Sequence, residues 1–196
     1  MTIKISEGNS KIKNVANLSL PPVVTCVKNV PCATEGCYAL GSWNRYPNVR
    51  AAWGTNLEFY KSDPKRFFSE FSQWIFKHQP ERFRLFVGGD FPDEKFAKSY
   101  MSLCGLYPTT QFLVFTKRYS IDFSSKPDNC QVILSTWPGL TLPKNKDLPW
   151  AWLEGDIRIP ADAYYLRCPG DCSSEVCGHK CWGFIDKDTA VCFPKH

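Results

Sequence analysis

The chain has 196 residues, 43% of them apolar and 15% aromatic, which suits one domain with a real core and room for a small appendage. Its 24 basic and 19 acidic residues leave a net charge of +5, permitting an anionic partner but lacking the dense basic run that announces nucleic-acid binding. The opening "MTIKISEGNSKIKNVANLSL" mixes polar and apolar residues and no long apolar run follows. This reads as neither signal peptide nor membrane span, and points to a reducing cytoplasm where ten cysteines speak for metal or redox chemistry rather than disulfides.

Residues 1–17, with Lys4, Lys11 and Lys13, show no periodicity and read as an exposed N-terminal arm. Residues 18–25 read as a short buried strand made irregular by Pro21 and Pro22. A loop holding Cys26, Cys32 and Cys37 follows. "GSWNRYPNVRAAWGTN" mixes tryptophan and arginine; it reads as a helix turning Trp43 and Trp53 inward, with stacking on a nucleotide as the other reading.

"SDPKRFFSEFSQWIFKHQP" is a punctuated helix, with Asp63 as cap, Pro64 in the first turn and an apolar face of Phe67, Phe71, Trp74 and Ile75. "RFRLFVGG" reads as a strand closed by Gly88 and Gly89, and "PDEKFAKSYMSLCGLYP" as a second amphipathic helix with Cys104 on its core face. "QFLVFTK" and "QVILST" read as strands buried on both faces.

The alternation predicts an α/β fold: a partial (βα) barrel of about four or five parallel strands over residues 18–140, since a complete barrel takes about 250 residues. Ligands on such sheets sit at the carboxyl ends of the strands. That rim would gather the cysteine loop, Gly88-Gly89-Asp90, Lys117-Arg118 and Ser135-Thr136. Lys117 there can pair with a ligand carboxylate or be a solvated charge. Ser135 can bond a ligand hydroxyl or cap a local turn. Residues 141–196 are proline-rich and read as an irregular cysteine-rich segment, with one or two short strands near Asp156–Ile159 and Ala163–Leu166.

Two cysteine groups carry the chemistry. Cys168, Cys172, Cys177 and Cys181 are four thiols at a density that fits zinc or an iron–sulfur cluster, with Gly170 and Gly178 allowing tight turns. His179 reads as a spare polar residue among them, with a substitute ligand as its other reading. Cys26, Cys32 and Cys37 are more widely spaced, which counts against a single zinc ion and fits a cluster with one iron left open. Their other reading is three ordinary cysteines, or a plain four-thiol site completed by Cys130 or Cys192.

Three cysteines after the first strand, "GGD" (Gly88-Gly89-Asp90) after the next, "CYA" at the third cysteine and the ending "CP…C…C…CW" resemble the radical S-adenosylmethionine (radical SAM) superfamily. They are closer still to small phage-encoded proteins similar to it. The resemblance implies a [4Fe–4S] cluster on Cys26, Cys32 and Cys37, with S-adenosylmethionine bound near Tyr38, Gly88, Gly89, Asp90, Lys117 and Ser135. It implies reductive cleavage of that cofactor by an electron donor, then hydrogen abstraction from an unidentified substrate. The tail cysteines would hold a second iron–sulfur cluster or zinc. An incomplete barrel would leave a side open to a macromolecular substrate, in the cytoplasm of a bacterial host.

The chain departs from that superfamily in a longer spacing at both cysteine gaps, in Tyr38 following rather than preceding the third cysteine, and in Asp90 where a glutamate is usual. Two further classes fit the same residues: a non-catalytic, metal-stabilised binding protein for nucleic acid or a host protein, and a cluster-bearing redox or iron sensor.

Overall fold

The computed structural model describes residues 1–8, 12–173, 175–183 and 185–194; the expectation for Lys11 falls outside them. Among these residues seven strands run in chain order: β1 (Ala16–Leu18), β2 (Arg82–Leu85), β3 (Gln111–Thr116), β4 (Cys130–Ser135), β5 (Trp150–Leu153), β6 (Tyr164–Arg167) and β7 (Thr189–Phe193). They form one sheet, ordered β1-β2-β3-β4-β5-β7-β6, in which every neighbouring pair is parallel. The sheet is open, so the α/β expectation holds as an unclosed sheet, but seven strands replace the four or five expected. Among the described residues no helix is long and apolar enough to cross a membrane.

Side-chain caps start two of the helices described. α1 (Cys32–Glu35), α2 (Tyr38–Arg45), α3 (Pro47–Ser62) and α4 (Pro64–His78) separate β1 from β2, and α5 (Glu94–Leu106) joins β2 to β3. Asp63 accepts a 3.0 Å hydrogen bond from the Arg66 N–H at the start of α4, and Asp93 a 2.8 Å bond from the Phe96 N–H at the start of α5. Each satisfies an N–H that the first helical turn leaves without a partner. Gln79, in the left-handed region at φ 43°, ends α4 just before Pro80.

The sheet has two differently covered faces. Phe83, Leu85, Phe112, Val114, Val132 and Leu134 pack against the apolar stripes of α3, α4 and α5, including Phe59, Phe67, Phe71, Phe96 and Tyr100. Leu113, Ile133, Ala151 and Val191 face the other way, under Trp182, Ile185, Cys172 and Cys181 of the tail. Chain handedness explains the division. Strands β1 to β5 advance in one direction, so right-handed crossovers put their connections on one face. β7 steps back to pair between β5 and β6, so the 168–188 connection belongs on the opposite face. That face is where a closed barrel would pack its interior.

Several expectations shift. The first strand is Ala16–Leu18 rather than residues 18–25, because the chain turns at Pro21 and Pro22. Within the expected arm, Ser6 pairs with Asn17, and Ile12 and Val15 are buried. The strand near Ala163–Leu166 exists as β6, whereas Asp156–Ile159 is a turn, and the tail adds β5 and β7.

Candidate functional site

The loop after β1 is braced before its first cysteine. The Thr25 hydroxyl donates to the Pro21 carbonyl at 2.9 Å and accepts from the Asp90 N–H at 3.0 Å. The Val23 N–H points at the Cys26 sulfur at 3.4 Å, which requires Val23 to adopt φ 67°. A β-branched residue there is strained, at a cost on the order of 1–3 kcal/mol. Arg118 reaches across from the β3 end and donates to the Thr25 carbonyl at 2.7 Å and the Cys26 carbonyl at 3.4 Å. Cys32 opens α1 and Cys37 precedes α2, and the Trp137 indole donates to Glu35 at 2.9 Å, tying the β4 end to this loop.

The three thiols are partly buried and lie within electrostatic reach of one another. Burial pushes Cys26 up to about 11, with Asp90, Cys37 and Cys32 adding to the rise and the Val23 N–H opposing it. Burial also raises Cys32, against the nearby Lys117 ammonium. Thiols so placed stay protonated near neutral pH until a cation replaces the protons.

The expected rim residues meet at the same place. Gly88 is needed because a Cβ there would sit 2.4 Å from the Trp53 ring. Gly89, at φ 82°, would bring a Cβ within 2.6 Å of the Leu20 carbonyl oxygen. Asp90 is buried, and its Oδ1 accepts from the Phe91 N–H (2.8 Å) and the Thr116 hydroxyl (2.6 Å). Its Oδ2 accepts from the Lys117 N–H at 2.8 Å. A carboxylate has about four acceptor positions, and these bonds fill three of them. Burial raises the Asp90 carboxyl above its ordinary range, and these hydrogen bonds and Lys117 partly offset that.

The Lys117 ammonium donates to the Ser135 hydroxyl at 3.0 Å, and the Tyr119 hydroxyl donates to the Ser135 carbonyl at 2.6 Å. Tyr38, its ring half exposed, donates to the Val87 carbonyl at 2.6 Å. Cys130 and Cys192, the alternative fourth thiols, are instead fully buried in the sheet, Cys130 against Cys104.

The four tail cysteines also gather. Cys168 takes the Gly170 N–H on its sulfur at 3.4 Å. Burial pushes Cys181 up to about 12, with Cys177, Cys168 and Cys172 adding to the rise. Sequence reasoning missed Arg84. It lies on the tail-covered face of β2, its Nη1 4.0 Å from the Cys172 sulfur and its guanidinium 5.2 Å from the centre of the Phe115 ring. The signal was present: in "RFRL" arginine alternates with Phe83 and Leu85 at the period of a strand with two unlike faces.

Among the described residues, no group of three or more His, Cys, Asp and Glu side chains is assembled as a metal-ion site. The chemistry present at this rim is three thiols on one loop within electrostatic reach of one another, with the Lys117 ammonium acting on Cys32. The family model described as gene product 88 matches residues 2–137, more than half of the chain. The chain belongs to the gene product 88 family. This is a phage-type family, in keeping with the expected phage origin; no radical SAM family model matches. The gene product 88 match takes in β1 to β4, and with them Cys26, Cys32, Cys37, Asp90, Lys117 and Ser135. No curated protein and no solved structure matches the chain.

Proposed function

We propose that this gene product 88 protein is an iron–sulfur enzyme of the radical SAM type. The observation that carries the reading is the meeting of Cys26, Cys32 and Cys37 with Asp90 and Lys117 at the carboxyl ends of adjacent parallel strands. Cys26, Cys32 and Cys37 would hold a [4Fe–4S] cluster. Bound there, the cluster would supply the one-electron reduction of S-adenosylmethionine that leads to hydrogen abstraction from substrate.

The chain's own residues bind and orient. The fourth acceptor position of Asp90 accepts from the cofactor's ammonium. The Lys117 ammonium, with one of its three donors on Ser135, pairs with the cofactor's carboxylate. Gly88 and Gly89 let Trp53 and the Leu20 carbonyl close under the rim, and Tyr38 ties the end of the cysteine loop to the Val87 carbonyl. The tail cysteines hold a second metal centre, iron–sulfur or zinc. An external electron donor is required, and the unclosed sheet leaves the rim accessible to a large substrate.

The test is anaerobic reconstitution with iron and sulfide, then addition of S-adenosylmethionine and dithionite. The expected product is 5′-deoxyadenosine, abolished by Cys32→Ala. A colourless, air-stable, zinc-loaded protein that forms none would replace this reading with the metal-stabilised binding protein. A cluster-bearing protein that forms none would replace it with a redox or iron sensor.

A further inference from the structure

Arg84 is a partly buried cation lying against the tail thiols. Its strand lies inside the sheet, between β1 and β3, and its side chain points under the tail. Its Nε is buried and has no hydrogen-bond partner, and among the described residues no carboxylate forms an ion pair with it. The side chain as a whole is only partly buried, but a buried N–H left without a partner costs about 1–3 kcal/mol. The nearest sulfur is Cys172, and the Arg84 charge also acts on Cys168 and Cys181. Beside Cys168, Cys177 and Cys181 opens a cavity of about 140 Å³, lined also by Leu166, Val191 and the cations Arg167 and Lys180.

We propose that Arg84 is the counter-cation of a tetrathiolate metal centre held by Cys168, Cys172, Cys177 and Cys181. This rests on the reading of the tail as a metal site. When a divalent ion, or a cluster core of charge +2, binds, four thiols release four protons and the centre carries a net charge of −2. Neutral thiols carry no charge to offset the partly buried guanidinium, whereas the loaded centre does. Arg84 then offsets one negative charge and donates to the Cys172 sulfur, as the Gly170 N–H does to Cys168. The Phe115 ring holds the guanidinium in place from its other side. Arg84 is thus a positioning and charge-compensating residue and not a ligand.

The experiment uses the full chain with Cys26→Ser, Cys32→Ser and Cys37→Ser, which leaves only the tail thiols of the two groups. One arm is loaded with zinc, the other anaerobically with iron and sulfide. Metal content and affinity by chelator competition are measured with Arg84 intact, as Arg84→Gln and as Arg84→Lys. Arg84→Gln should weaken binding about 10–100-fold, the usual cost of losing a partner to a ligand. Arg84→Lys, which keeps the charge, should recover most of that loss. In the iron arm Arg84→Gln should also lower the reduction potential, because a lost positive charge favours the oxidised cluster. A metal-binding protein in which Arg84→Gln changes neither affinity nor potential overturns the proposal and leaves the tail site standing. A protein that takes up no metal in either arm overturns the tail site itself, and the proposal with it. Should Arg84→Gln not fold, Arg84→Lys decides: near-native affinity and potential support the proposal, and a loss as deep as that from Cys172→Ser overturns it.

Discussion

Replacing Asp90 with alanine probes the joint between the cysteine loop and the sheet. The carboxylate is buried and accepts from two backbone N–H groups, of Phe91 and Lys117, and from the Thr116 hydroxyl. Alanine leaves both N–H groups without partners. An orphaned buried donor costs about 1–3 kcal/mol, and the hydroxyl rotates to a new acceptor more cheaply. The summed loss is roughly 3–5 kcal/mol. For a chain of this size each kcal/mol moves the melting temperature by about 2–4 °C, so the variant should melt roughly 6–20 °C lower. Asp90→Asn keeps the two bonds to Oδ1 and sets an NH₂ against the Lys117 N–H, for a loss of about 1–3 kcal/mol. The assay is thermal unfolding by circular dichroism on metal-free protein, with hydrogen exchange at the Lys117 amide as the local readout. An Asp90→Ala protein melting within about 2 °C of the parent, its Lys117 amide still protected, would refute the reasoning.

Two further outcomes follow from the same geometry. Gly88→Ala drives a methyl group into the Trp53 ring, at about 1–3 kcal/mol for overpacking, and Trp53→Leu in the same chain should restore part of it. Additive losses in the double-mutant cycle would show that the two do not touch. In the metal-free protein, burial holds Cys26 and Cys181 protonated to about 11 and about 12, above their ordinary 9.0. The unfolded chain therefore gives up these protons first. The stability these thiols contribute is intact below pH about 9 and is lost as pH rises towards 11–12, which a pH series of thermal melts would register. A flat alkaline limb would contradict the placement of these thiols.

The central elements were legible because their signals are local. Capping by Asp63, the apolar stripes of α4 and α5, and the runs of β3 and β4 each declare themselves within about a dozen residues. β5 and β7 were not, since "WAWL" and "TAVCF" are short, flanked by turns, and made strands only by pairing with distant partners. The fold-back of β7 decides which face the tail covers, and no stretch of sequence encodes that step alone. At the site, the rim residues were found from their places after strands. What the sequence did not disclose is that the Asp90 carboxylate braces the β3 end, and that Arg84 lies under the tail thiols.

The central claim is that Cys26, Cys32 and Cys37 together hold one four-iron cluster. It is tested most directly by counting iron and acid-labile sulfide in anaerobically reconstituted protein, with and without the three substitutions Cys26→Ser, Cys32→Ser and Cys37→Ser. The account predicts a difference of four irons and four sulfides per chain, whatever the tail binds. Equal counts in the two proteins would contradict it.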